Sequence, residues 1–149
     1  MGGELTPESG GAPTFMVQAM KDPDAANLDQ VQIIKGWIDE QGRPTNRFST
    51  WHSRMTEAST PRRAAGASGS TVDLENVTFT NTIGAVQLSA QWTDPDFDAK
   101  QAAFYYARAI EIPPAPLDRA RPQSLRSGFQ DAPRTVQDRA YSSPIWYRP

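Results

Sequence analysis

The chain has 149 residues, with 15 Lys+Arg against 17 Asp+Glu, one histidine and no cysteine. A net charge of −2 argues against a phosphate-tracking nucleic-acid binder or a binder of anionic membranes. The absence of cysteine excludes disulfide frameworks, thiolate nucleophiles, iron–sulfur clusters and Cys-based zinc sites, and a lone His52 excludes multi-His metal centres.

Thirteen Pro and 10 Gly favour short strands joined by turns over long helices. Residues 1–13 read as a linker or frayed N-terminus, and residues 14–149 as one domain. Phe15–Met20 is an apolar first strand. The cluster Asp22-Pro23-Asp24 with Asn27 is a turn. Leu28–Ile38, built on Val31, Ile33 and Ile34, is a strand. Residues 39–45 form a turn, residues 46–52 another strand, and residues 53–70 a long surface loop. Val72–Thr82 is β-prone but interrupted. Val86, Leu88, Ala90 and Trp92 alternate with Gln87, Ser89 and Gln91, the pattern of a half-buried antiparallel strand.

A second Asp-Pro-Asp turn, Asp94-Pro95-Asp96, precedes Asp98. Ala99–Ala103 reads as one helical turn. In Phe104–Ile112 two faces separate by parity: Phe104, Tyr106, Arg108, Ile110 and Ile112 on one, Tyr105, Ala107, Ala109 and Glu111 on the other. Helix propensity is also good here, but Pro113-Pro114 and the β-rich surroundings favour a strand. Residues 113–135 are Pro/Arg/Ser-rich and irregular. The chain closes on Ala140–Tyr147, where Pro144 suits an edge strand or a bulge. About seven short strands predict an all-β fold: an antiparallel β-sandwich with short helical turns and long irregular loops. The acidic turn leading into Ala103-Phe104-Tyr105-Tyr106-Ala107-Arg108-Ala109 resembles the corner before strand F of immunoglobulin-like domains, with alanine where cysteine is usual.

Few residues offer chemistry. Asp22, Asp24, Asn27 and Asp29 are oxygen ligands in type, but the EF-hand pattern fails, with Ile33 where the bidentate Glu belongs. Asp94, Asp96 and Asp98 are weak metal candidates of the same sort; Asp-rich turns ordinarily bond their own backbone. His52 has no fixed triad partners. The four tryptophans, Trp37, Trp51, Trp92 and Trp146, suit a core more than a sugar-stacking platform. Arginine outnumbers lysine twelve to three, a bias that fits ion pairing with another surface. Asn76-Val77-Thr78 is a formal glycosylation sequon. No apolar run approaches the ~20 residues of a membrane-spanning helix, so no membrane insertion is expected. The start of the chain lacks the features of a signal peptide, which leaves a cytoplasmic expectation.

Four ordered stretches carry a family resemblance: Ala19–Trp37, Thr78–Ala85, Trp92–Asp98 with Ala103–Arg108, and Arg139–Tyr147. Together they resemble the C-terminal end of a large, functionally uncharacterised bacterial family. Its N-terminal part resembles PHP-type, amidohydrolase-like metallohydrolases. The resemblance implies a C-terminal fragment: a non-catalytic accessory β-sandwich packed on a missing N-terminal catalytic domain, which would be its partner and would hold the divalent metal. No cofactor is expected in this chain, and no catalytic residue carries over. The expected interdomain contact is the apolar closing segment, Tyr141, Ile145, Trp146 and Tyr147. The rival reading is a free-standing immunoglobulin-like binding module, with carbohydrate as its ligand.

Overall fold

A computed structural model of the chain describes residues 2–6, 11–52, 70–73, 78–113 and 137–149. All regular structure in them is β, with no helix. In chain order the strands are β1 (Gly3–Leu5), β2 (Thr14–Met20), β3 (Leu28–Ile38), β4 (Pro44–His52), β5 (Val72–Asp73), β6 (Thr78–Phe79), β7 (Gln87–Thr93), β8 (Ala103–Glu111), β9 (Arg139–Tyr141) and β10 (Ile145–Tyr147).

Six strands form one sheet in the order β1-β10-β8-β3-β4, with β9 on the same side of β8 as β10; β2 pairs with β7, and β5 with β6. All pairs are antiparallel except β1 with β10, which is parallel in the register Gly3↔Ile145, Glu4↔Trp146, Leu5↔Tyr147. The six-stranded sheet is therefore mixed, which corrects the purely antiparallel expectation. The Gly-rich start, read from composition as linker, contributes β1. The expected helical turn at 99–103 is a bend that ends where β8 begins. The expected long loops at 53–70 and 113–135, and the sequon at Asn76, lie almost wholly outside the described residues.

β3 is the central strand, and its sequence explains why. Its burial is nearly unbroken from Leu28 to Gly36, as expected of a run of Val31, Ile33 and Ile34 covered on both sides. It pairs with β4 through a tight hairpin. There the Asp39 carboxylate accepts the backbone N–H of Gln41 (3.0 Å) and of Arg43 (2.8 Å). Gly42 takes φ 76°, a left-handed value that Cβ-bearing residues avoid. On its other side β3 holds β8 from Leu28↔Glu111 to Trp37↔Ala103. This long antiparallel register resolves the helix–strand ambiguity of 99–112 in favour of the strand.

The β2–β7 pair lies against the inner face of the large sheet. Period-two alternation sends Phe15 and Val17 of β2, and Ala90 and Trp92 of β7, inward. They meet Ile33, Trp37, Ala103, Tyr105 and Tyr147, with Leu5 and Phe97 at the margin. Phe15 packs on Tyr105 at 4.5 Å between ring centroids and on Trp92 at 6.0 Å. Trp92 is a core residue, as its place in the alternation predicts, but its indole N–H has no partner among the described residues. Val86, counted with the alternating strand, falls just outside β7 and is exposed.

Candidate functional site

The two Asp-Pro-Asp turns are built alike, and each is closed by a lysine. In the first, Asp22 Oδ1 accepts the N–H of Asp24 at 2.9 Å. The Lys21 ammonium donates to the carbonyls of Asp22 (2.8 Å), Pro23 (3.0 Å) and Ala25 (2.7 Å). A side-chain cation thus occupies the ring of loop oxygens that a calcium ion would need. Asn27 donates through Nδ2 to the carbonyls of Asn81 and Ile83, so it pins a neighbouring loop. Asp29 is fully buried on β3.

In the second turn, Asp94 Oδ1 accepts the N–H of Asp96 at 3.0 Å. Asp94 Oδ2 receives Lys35 Nζ at 2.6 Å and the Tyr105 hydroxyl at 2.8 Å. Lys35 also donates to the Asp96 carbonyl and lies 5.3 Å from the centre of the Trp37 ring. Both side chains of this ion pair are almost fully buried. Burial, and then the bond to the Asp94 carboxylate, holds the Tyr105 phenol far above its ordinary value. The Asp96 carboxylate pairs with Arg47, and Asp98 Oδ1 accepts the N–H of Lys100.

The three candidate metal ligands therefore have other occupations: Asp94 in a buried ion pair, Asp96 in a surface one, Asp98 as a turn cap. Among the described residues no group of three or more His, Cys, Asp or Glu side chains is arranged to hold a metal ion. His52 ends β4 opposite Gln30. Among the described residues no helix is long and apolar enough to cross a membrane.

The closing segment divides. Tyr141 ends β9 and is exposed; Pro144 lies between β9 and β10 rather than in either. Strand parity puts Trp146 on the outer face and Ile145 and Tyr147 on the inner one. Tyr147 is only 3% exposed, packs edge-on against Phe97 and donates its hydroxyl to the Ala99 carbonyl. It belongs to the core, which corrects its reading as a contact residue. Trp146 and Tyr141 remain on the surface, at 47% and 58% exposure.

These two are the ends of a larger array that sequence reasoning missed. On the outer face, Trp146 packs on Phe104 (5.3 Å), Phe104 on Tyr106 (6.3 Å) and Tyr106 on Tyr141 (6.4 Å). The Arg108 guanidinium lies over Tyr141 and, on its other side, over Phe48 of β4. Its donors go to Gln32 Oε1, so the one cation in the array is engaged within the sheet. Beneath, Gly36 lets the Phe104 ring lie directly on the β3 backbone: a Cβ there would collide with the ring. Ile34, between Phe48 and Tyr106 in register, is 2% exposed. Ile38 continues the face at the end of β3 and is exposed. Beside Gly36, Phe104 and Trp146 the surface hollows to about 1050 Å³. The signal for this array was the shared parity of Phe104, Tyr106 and Arg108; what the sequence withheld was which face the second layer would cover.

Compared with known proteins, the whole chain, residues 1–149, matches one protein-family model, described as "Protein of unknown function (DUF3604)". No curated protein and no solved structure matches the chain.

Proposed function

The chain belongs to the DUF3604 family, and from that premise we propose that it is a non-catalytic accessory domain, an immunoglobulin-like β-sandwich that packs on the catalytic domain of a PHP-like, metal-dependent hydrolase. The observation that carries the reading is the aromatic outer face of the six-stranded sheet: Trp146, Phe104, Tyr106, Tyr141 and Phe48 in one array, with Ile38 beside it. Monomeric proteins seldom leave a contiguous apolar patch of this kind in water, and aromatic residues with arginine are the side chains enriched in interface centres. Metal binding and hydrolysis belong, on this reading, to the partner domain, whose substrate chemistry this face does not touch.

A second reading, a carbohydrate-binding module, draws on the same array, because exposed Trp and Tyr rings also stack on sugars. Sedimentation of the isolated chain separates the two. The accessory-domain reading expects self-association, lost in a Trp146→Ser/Tyr141→Ser variant and suppressed when the rest of a DUF3604 protein is supplied in trans. The module reading expects a monomer whose tryptophan fluorescence shifts with one member of a glycan panel. A soluble monomer indifferent to both additions refutes both.

A further inference from the structure

β2 is bonded to β7 on one side only, and among the described residues no strand pairs with its other edge. The register fixes which backbone groups face that edge. Lys21 donates its N–H to the Val86 carbonyl, and Asp94 donates to the Pro13 carbonyl. The odd-numbered residues of β2 therefore carry the bonds to β7. In an antiparallel ladder the alternate residues point the other way. The N–H and C=O groups of Thr14, Met16, Gln18 and Met20 are directed away from β7, into the space beside β2.

That space is a cleft with an apolar floor. One part, of about 820 Å³, runs along Phe15–Gln18 over Leu5, Tyr105 and Ile145. A second, of about 440 Å³, continues along Val17–Met20 over Leu28, Ala107 and Ala109. The two share Val17, Gln18, Ala107, Tyr141 and Ser142, so the cleft follows the full strand, roughly 24 Å at the rise of a β-strand. The floor is the inner face of the large sheet. Its small residues, Ala107 and Ala109, leave room where side chains of a third strand would reach down.

The Met20 end carries charged side chains of both signs, Arg139 among them. Glu111 lines the cleft there with Asp138. Glu111 Oε2 is buried and has no hydrogen-bond partner among the described residues. Burial first, then the nearby Asp138 and Asp22, raises the carboxyl above the ordinary glutamate value, while Lys21 opposes them.

We propose that this edge is a strand-addition site: it takes an extended peptide segment of a partner protein, hydrogen-bonded to β2, with apolar side chains at alternate positions facing the cleft and a basic side chain at the Glu111 end. An exposed row of unpaired strand groups is a template for such pairing, and Glu111 supplies the charge complement. The site lies on the opposite side of the large sheet from the aromatic array and stands whether or not that array docks a catalytic domain.

The test uses the 149-residue chain and two seven-residue peptides alternating valine and threonine, one with lysine first (antiparallel to β2) and one with lysine last (parallel). Amide hydrogen exchange is followed residue by residue. In the free chain the Met16 and Gln18 amides exchange rapidly, and Val17, bonded to β7, is protected. One of the two peptides slows Met16 and Gln18 at least tenfold. Met16→Pro deletes one outward N–H and no bond to β7, which an edge strand tolerates; it weakens that peptide by about tenfold, the loss expected for one hydrogen bond. Glu111→Gln weakens the lysine peptide but not its threonine-terminated version. Met16 and Gln18 amides already protected in the free chain, no protection by either peptide, or binding unchanged in Met16→Pro each overturns the proposal.

Discussion

Replacing Lys35 with methionine removes the cation from the buried pair with Asp94 and leaves the packing volume nearly unchanged. The two charges lie 2.6 Å apart with side chains 2% and 0% exposed. At an effective dielectric of about 20, their attraction is of order 6 kcal/mol. Part of that returns when the lysine no longer has to be desolvated, since each buried ion costs several kcal/mol. Asp94 keeps its bonds from Tyr105 and from the Asp96 N–H but loses its counter-charge. The balance is a loss of about 3–5 kcal/mol, the usual cost of stranding one member of a buried pair. For a chain of this length that lowers Tm by roughly 10–20 °C. Urea and thermal unfolding of Lys35→Met, Asp94→Asn and the double variant form the assay. The double variant buries no charge and loses at least about 1 kcal/mol less than the sum of the single losses. A Lys35→Met loss below about 1 kcal/mol, or strict additivity, refutes the account of the pair as a mutual neutralisation.

Three further outcomes follow from the geometry. Glu111→Gln changes the pH dependence of stability. A carboxyl raised in the folded state keeps its proton to a higher pH than in the unfolded chain, so wild-type stability falls as pH rises from the ordinary glutamate value of 4.5 through the folded value. The variant should match wild type near pH 4 and exceed it in Tm at pH 7; equal Tm differences at both pH values count against this. Gly36→Ala drives a methyl into the Phe104 ring and costs about 1–3 kcal/mol by overpacking, with a change in near-ultraviolet circular dichroism from the displaced Phe104–Trp146 pair; an unaltered spectrum and stability contradict it. Calcium at millimolar levels leaves the Tm of the wild-type chain unchanged, because the Lys21 ammonium already fills the ring of loop carbonyls, and a calcium-dependent rise of more than a few degrees would disprove that reading.

The sequence made the central strand and the alternating strand legible because each carries its environment in its own residues. β3 spans Leu28–Ile38 as its β-branched run predicts, and in β7 Leu88, Ala90 and Trp92 all face inward. β8 was ambiguous because its helix propensity is good; what made it a strand is the register with β3, a contact between residues more than sixty positions apart. β1 was invisible for the same reason in stronger form. Three residues, Gly3-Glu4-Leu5, have no pattern of their own, and their partner strand lies at the other end of the chain.

The site was legible in part. Trp146 and Tyr141 are surface residues, but Tyr147 is core, and the separation follows from the parity of adjacent strand positions. Lys35 also kept parity with Val31, Ile33 and Trp37 on the inward face. Parity thus marked a buried lysine, but it could not supply the partner, Asp94, from the other side of the fold. The aspartates drew attention as ligands because their type suits a metal. Their use as turn caps and ion-pair partners depends on lysines and backbone N–H groups that only the fold brings within reach.

The parallel pairing of β1 with β10 also sets how the domain bears load. Gly3 lies beside Ile145 and Leu5 beside Tyr147, so the chain enters β1 at one end of the pair and leaves β10 at the other. Tension applied between Gly3 and Tyr147 pulls the two strands lengthwise past each other. Their hydrogen bonds are then strained together, in shear, instead of parting one after another as in a zipper. Tyr147, anchored in the core by Phe97 and the Ala99 carbonyl, transmits that tension into the packed layer. The short parallel pair is therefore a mechanical clasp, and the strand with the least sequence signal of its own is the one that closes it.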